Sequence, residues 1–147
     1  MCVRTPRGLA CTNATARAQA VRDNPYDEVQ VGARTLHGAH DDASLRAWCV
    51  NMHATHFPND VGKVRLLEKS RFCLDKMETV RKLHRTTLDD DVALLERSPS
   101  TPLIYRVARK KILAGNIARM KRLVAELEAV QHAATAATAA TAAATEL

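Results

Sequence analysis

The hydrophobic residues of the chain fall at helical spacing in two stretches, residues 61–84 and 103–130. In the later stretch, steps of three and four residues line apolar side chains along one helical stripe. The members of this apolar stripe are Leu113, Ile117, Met120, Val124 and Leu127. In the earlier stretch, apolar residues share one broad face, and the opposite face carries lysine and arginine. The pattern predicts two amphipathic helices.

Capping residues predict the ends of these two helices. Asn59 or Asp60 is expected to cap the first helix, which then starts at Val61. Thr101 is expected to cap the second helix, with Pro102 at its first position, where the missing N–H costs nothing. Because the chain reverses between the helices, their apolar faces are expected to pack antiparallel.

A short helix is predicted between the two long ones. Thr86 with Asp89, and Thr87 with Asp90, have the spacing of a capping box, with aspartate replacing the usual glutamate or glutamine. Asp89, Asp90 and Asp91 then occupy the first turn, where the helix dipole favours negative charge. Consecutive side chains point in different directions on a helix, so capping is favoured over a metal or acid–base site.

The segments on either side of residues 59–131 lack a lasting pattern. Residues 1–58 are interrupted by glycine and proline and are expected to be poorly ordered, with short helices near 14–21 and 42–52. An aspartate at 41 or 42 is expected to cap the later of these. Residues 132–147 form an alanine–threonine repeat, which is typical of a low-complexity tail. The predicted fold is all-α, an antiparallel helical hairpin with a short linking helix between these two flanking segments.

The composition supports a helical fold that is not self-contained. One tryptophan, two tyrosines and two phenylalanines are too few for a large sheet core. Two helices alone cannot enclose a core, so apolar surface should remain uncovered. We therefore expect self-association or docking on a partner.

Cysteine and histidine residues give no clear metal motif. The four cysteines form no CxxC pair, and no apolar run matches a signal sequence or a membrane span. A reducing compartment and free thiols are therefore expected. The cluster with metal-type side chains is His37, His40, Cys49, His53 and His56. Its spacing matches no closed zinc motif, so exposed histidines are favoured over a zinc site, and no metal or cofactor is expected.

The sequence contains no recognisable catalytic motif. It has no glycine-rich phosphate loop and no nucleophile elbow. His84 has no nucleophile or carboxylate at the spacing of a catalytic triad. An enzyme is therefore not expected.

Basic residues give the sharper functional signal. A net charge of +6 indicates either an anionic partner or an ordinary surplus of exposed cations. The candidate partner-binding residues are the apolar stripe together with Arg106, Arg109, Lys110, Lys111, Arg119, Lys121 and Arg122. A solvated helix face, a nuclear-import signal and a nucleic-acid-binding module are the alternatives. Tyr105 is the one aromatic residue among these cations, so a protein or capsid surface is favoured over single-stranded nucleic acid.

The order of these elements resembles a known viral family. Residues 66–130 join a basic helix ending in Leu-His-Arg at 83–85, an acidic-capped linker and a second basic helix from Leu103. This pattern resembles the small herpesviral tegument family whose cytomegalovirus member protects nucleocapsids. The resemblance implies a non-enzymatic virion component of the infected nucleus and cytoplasm, which stabilises DNA-filled capsids on their way to final envelopment. The family offers no catalytic residues to carry over.

The sequence therefore predicts a structural tegument protein of a large DNA virus. Its basic amphipathic helix is expected to bind capsid or other tegument proteins and to stabilise nucleocapsids during virion maturation. A basic helical nucleic-acid-binding module is the alternative, with affinity that falls steeply as salt rises.

Overall fold

The computed structural model describes residues 2–5, 8–11, 28–38 and 40–145, with the backbone alone at 2–5 and 8–11. Four helices dominate it, which agrees with the mainly helical prediction, and two small antiparallel hairpins add to them. The strands are β1 (Cys2–Thr5), β2 (Gly8–Cys11), β3 (Glu28–Val31) and β4 (Arg34–His37). The helices are α1 (Asp42–His56), α2 (Leu66–Lys82), α3 (Leu88–Arg97) and α4 (Thr101–Thr145), with a 3-10 turn at Pro58–Asp60.

Helices α2 and α4 pack antiparallel, as the sequence predicts. Three contacts run in opposite order along the two chain segments. Arg71 at the start of α2 bonds Glu128 at 3.0 Å, and Glu78 in its middle meets Lys121 at 3.3 Å. After the end of α2, the carbonyl oxygen of Thr86 accepts from the Lys110 ammonium at 2.6 Å.

The β3–β4 hairpin packs onto the helices through its apolar face. Val29 and Leu36 lie opposite each other in the register, and both are buried together with Val31. Gly32 turns the hairpin with φ +58°, and a Cβ there would lie 2.8 Å from His56 Nε2. The backbone conformation therefore favours glycine, and a side chain at this position would also have to displace the His56 ring.

Helix α1 closes the core that α2 and α4 leave open. Leu45, Cys49 and Met52 have no solvent exposure, and Trp48 donates its indole N–H to the Thr35 carbonyl at 2.8 Å. Asp41 caps the helix by accepting from the Ser44 N–H at 2.7 Å, as predicted. α1 and the β3–β4 hairpin are both part of the core.

The expectation of a poorly ordered segment up to residue 58 is therefore wrong for residues 28–56. The physical reason is that α1 and the hairpin bury the apolar surface that a two-helix hairpin exposes. Because this apolar surface is covered, it no longer supports the prediction of self-association. The helix expected near 14–21 lies outside the described residues.

A disulfide joins Cys49 on α1 to Cys73 on α2, with both residues fully buried. The expectation of free thiols is wrong for this pair, because the fold brings together two cysteines that are 24 residues apart. Cys2 and Cys11 are register partners in the β1–β2 hairpin, and their side chains lie outside the described part of the chain.

Helix α2 begins at Leu66, five residues later than the predicted start at Val61. Gly62 has φ +79°, a left-handed conformation that does not continue a right-handed helix. The aspartate and asparagine before it belong to the 3-10 turn at Pro58–Asp60 instead.

The predicted starts of α3 and α4 agree to within a residue. Helix α1 ends at His56 instead of the predicted 52, and α2 ends at Lys82 instead of the predicted 84. Thr87 and Asp90 form the complete capping box of α3. At the start of α4, Ser100 rather than Thr101 supplies the cap, since its hydroxyl accepts from the Leu103 N–H at 3.3 Å. Pro102 lies in the first turn, where its missing N–H is tolerated.

The alanine–threonine repeat continues α4 to Thr145. Residues 131–145 are all exposed, so this tail adds no buried contact to the core. Within the described ranges, no helix combines the length and apolar character that a bilayer crossing requires.

Candidate functional site

The apolar stripe predicted to bind a partner lies inside the molecule. Leu113, Ile117, Met120 and Val124 are 0–7 % exposed, and Leu127 is half-buried against the same core. They contact the other elements of this chain instead of presenting a surface. Their assignment as exposed partner-binding residues is therefore corrected: periodicity marks an apolar face, and here α1, α2 and the β3–β4 hairpin cover it.

The predicted basic residues differ in burial and in ion pairing. Lys110 is 6 % exposed and so is part of the interior rather than a contact surface. Lys121 pairs with Glu78, Arg122 meets Asp42 at 3.2 Å, and Arg106 meets Asp91 at 2.9 Å. Arg109 and Lys111 are exposed on α4, and Arg119 is half-buried there.

Asp91 holds the first half of α4 to α3. Its carboxylate is 1 % exposed and accepts from Lys110 Nζ at 2.6 Å. Arg106 donates to both of its oxygens, at 2.9 and 3.0 Å, and the Thr86 hydroxyl donates at 2.7 Å. A bidentate arginine and a buried lysine on one carboxylate form a strong, geometrically specific ionic cluster.

The ionisation of Asp91 follows from these bonds. Burial alone would raise the pKa of its carboxyl, because a dry environment disfavours the charged form. The hydrogen bonds from Lys110, Thr86 and Arg106 outweigh burial and lower the pKa from 3.8 to about 2. Asp91 is therefore a carboxylate at neutral pH, and it balances the charge of one of the two cations that it contacts.

An open groove of about 970 Å³ lies between the α2–α3 connection and the start of α4. This volume is at the upper end of the roughly 300–1,000 Å³ that is typical of ligand pockets. We call it the basic groove. Its lining is mixed, with apolar, hydroxyl and cationic side chains: Leu83, His84, Arg85, Thr86, Thr101, Pro102, Tyr105, Arg106, Arg109 and Lys110.

The basic groove carries excess positive charge. None of the described residues that line it is acidic, and four are arginine or lysine. Asp91, which contacts two of these four, supplies a single negative charge. The lining of the groove is therefore positively charged, before any contribution from His84.

His84 adds little of that charge at neutral pH. The ring is half-buried, and its pKa is lowered by burial and by the charge of Lys110, against an opposing effect of Asp91. The groove's positive charge thus comes mainly from its arginines and lysine.

The predicted histidine and cysteine cluster does not converge on one point. Cys49 is in the disulfide, and His56 Nε2 accepts from the Ala33 N–H at 3.2 Å. His40 Nδ1 lies 2.8 Å from the Ser44 hydroxyl, and His53 is buried with its ring edge-on to Phe72. In residues 28–38 and 40–145, no three histidine, cysteine, aspartate or glutamate side chains form a group suited to a metal ion.

The prediction did not include the side of the basic groove that the α2–α3 connection forms. Leu83, His84 and Arg85 follow α2, outside the helix that carried the predicted cations. The signal was present, because a basic cluster at the end of one helix and another at the start of its antiparallel neighbour must lie close together. Asp91 was also missed as an ionic partner, since capping alone explained the three aspartates.

Comparison of the chain with models of known protein families finds no match. Comparisons with curated proteins and with solved structures find none either.

Proposed function

We propose that the chain is a non-enzymatic structural protein of a large DNA virus, which docks on a capsid or tegument protein through its basic groove. In this role it would stabilise nucleocapsids as virions mature, and it would reside in the tegument and in the nucleus and cytoplasm of the infected cell. The resemblance of residues 66–130 to herpesviral tegument proteins motivates the viral assignment.

One observation carries the docking function, namely the concentration of cations in the basic groove. Arg85 comes from the α2–α3 connection, and Arg106 and Arg109 come from α4. The Asp91 cluster bonds Arg106 directly, and it includes Thr86 and Lys110, which follow the other two arginines in the chain. Cations held on a rigid frame lose less entropy on binding than cations on a mobile chain, which favours an anionic partner surface.

The test is co-sedimentation with purified cytomegalovirus nucleocapsids. The variant Arg85→Glu with Arg109→Glu reverses two charges at the groove, and we expect it to lower the bound fraction at least tenfold. The matched control is Arg34→Glu with Arg46→Glu, which changes the net charge equally at exposed positions outside the groove. We expect the control to bind like the wild type.

Equal binding by the groove variant and the wild type, with both folded by circular dichroism, would contradict the proposal. Equal loss in both double variants would show that net charge alone is responsible and would also contradict a groove-specific role.

The alternative function is binding to duplex nucleic acid through the same helix. It is favoured by the absence of acidic residues between Arg97 and Ala125, so that every charged residue in this part of α4 is a lysine or an arginine. Binding to a generic duplex, with an affinity that falls steeply with salt, would support this alternative. Absence of binding even at low salt would exclude it.

A further inference from the structure

The lining of the basic groove combines two kinds of side chain, and each requires a different complement. The cationic side chains include Arg85, Arg106 and Arg109. The apolar side chains include Leu83, Pro102 and the ring of Tyr105. A partner that satisfied the cations alone would leave the apolar side chains in water.

Among the apolar side chains that line the groove, Leu83 gives the strongest indication of a partner. It is 77 % exposed, the highest value among the exposed large apolar side chains of the described residues. An exposed leucine by itself is ordinary, but this one lies at a concave surface beside a tyrosine and a proline. Covering it would remove apolar area from water, which is the favourable term in most protein association.

We propose that the basic groove binds a short acidic segment of a partner protein in which a leucine or similar apolar side chain lies next to glutamate or aspartate. Carboxylates meet the arginines, and the apolar side chain covers Leu83 and Tyr105. This inference rests on the proposed docking function and specifies the chemistry of the segment that docks.

The apolar side chains of the lining favour a peptide over a nucleic acid as the occupant. Arginine pairs carboxylate and phosphate alike through two parallel hydrogen bonds, as Arg106 already does with the Asp91 carboxylate, so charge alone does not separate the two. A nucleic-acid backbone supplies phosphates but no aliphatic side chain for Leu83. Base stacking would need aromatic platforms, and among the described residues that line the groove Tyr105 is the only phenylalanine, tyrosine or tryptophan.

The first experiment uses three fluorescein-labelled peptides of about twelve residues and measures binding by fluorescence anisotropy. The test peptide alternates glutamate with leucine, the second replaces leucine by serine, and the third replaces glutamate by glutamine. We expect the test peptide to bind at least about tenfold more tightly than either of the others. Only this peptide complements both the cationic and the apolar side chains of the groove.

Variants of the protein then separate the contribution of the apolar side chains from that of the cations. Leu83→Ser should weaken the glutamate–leucine peptide about fivefold and leave the glutamate–serine peptide within twofold, since Leu83 meets only the apolar side chains. Arg85→Glu with Arg109→Glu should weaken both acidic peptides at least tenfold. The control Arg34→Glu with Arg46→Glu should change neither by more than about threefold. Because Leu83 is largely exposed, its substitution leaves the fold intact.

Three results would overturn the inference. The first is no binding of the glutamate–leucine peptide at millimolar concentration, and the second is an unchanged affinity in Leu83→Ser. Tighter binding of a generic DNA duplex that competes with the peptide would also overturn it. Each of these is distinct from failure of the proposed function, which is read from nucleocapsid co-sedimentation of the same charge-reversed variant.

Discussion

The two halves of helix α4 have the same backbone conformation but different sources of stability. Residues 101–130 bury a stripe that includes Leu113, Ile117 and Met120, and they also hold the ionic contacts to Asp91. Residues 131–145 are exposed throughout. One helix therefore joins a segment stabilised by tertiary packing to a segment stabilised by local preference alone.

The second half shows what local preference requires. Alanine has the highest helix propensity, so a repeat of alanine and threonine extends an existing helix without a nucleation cost. The Thr135, Thr138 and Thr141 hydroxyls each donate to the carbonyl four residues earlier, at 3.0 Å. Removing the tail should therefore lower the helix content without changing the unfolding free energy of the core.

The largest effect is expected from Asp91→Ala, in the packed half. The substitution leaves Lys110 buried and charged without its carboxylate, and it frees Arg106 from α3. Removing one partner of a buried ion pair costs about 3–5 kcal/mol of unfolding free energy. Urea denaturation followed by circular dichroism would measure this loss.

Lys110→Met is the comparison for Asp91→Ala. In that variant Asp91 keeps its bidentate bond to Arg106 and its bond from Thr86, so a smaller loss of about 1–3 kcal/mol is expected. A loss as large as that of Asp91→Ala would contradict the view that Asp91 is the centre of the cluster.

Met120→Ala tests the apolar stripe in the same half. Met120 has no solvent exposure, so truncation leaves a cavity and should cost about 2–5 kcal/mol. Thr138→Ala in the tail is the matched control, and we expect a change below about 0.5 kcal/mol. Similar losses in both variants, measured by urea denaturation, would contradict the division of α4 into two halves.

The sequence predicts the elements whose signals are local. The spacing of Leu113, Ile117 and Met120 indicates the buried face of α4, and Thr87 with Asp90 indicates the start of α3. These features are decided within one or two helical turns, by side-chain direction and by capping.

Features that depend on distant pairing were not predictable. The strands Glu28–Val31 and Arg34–His37 are too short for alternation to be recognised, and helices from later in the chain cover them. The disulfide pairs cysteines from two helices, and spacing alone does not assign it. In the ionic cluster beside the groove, Asp91 differs from the two aspartates before it only in the direction it faces, which the packing of α3 on α4 decides.

Acidification tests the Asp91 cluster by protonating its carboxylate. The pKa of the folded state, about 2, lies below the ordinary value of 3.8, so folding favours the carboxylate. Its contribution to stability is complete above about pH 4 and is lost as the pH falls from 3.8 toward 2. The difference in unfolding free energy between the wild type and Asp91→Asn should therefore narrow over this interval. A difference that stays constant to pH 2 would contradict the proposed ionisation.

Deletion of residues 131–147 should have the smallest effect on stability. The exposed residues 131–145 contribute nothing to the core, so the unfolding free energy of the truncated chain, measured by urea denaturation, should match that of the full chain to within about 0.5 kcal/mol. The helical circular dichroism signal should fall, because residues 131–145 are helical in the full chain. Since the tail does not line the basic groove, affinity for the glutamate–leucine peptide should also be unchanged. A lowered midpoint in the truncated chain would show that the tail packs against the core or against a second copy, and the two halves of α4 would then no longer be independent.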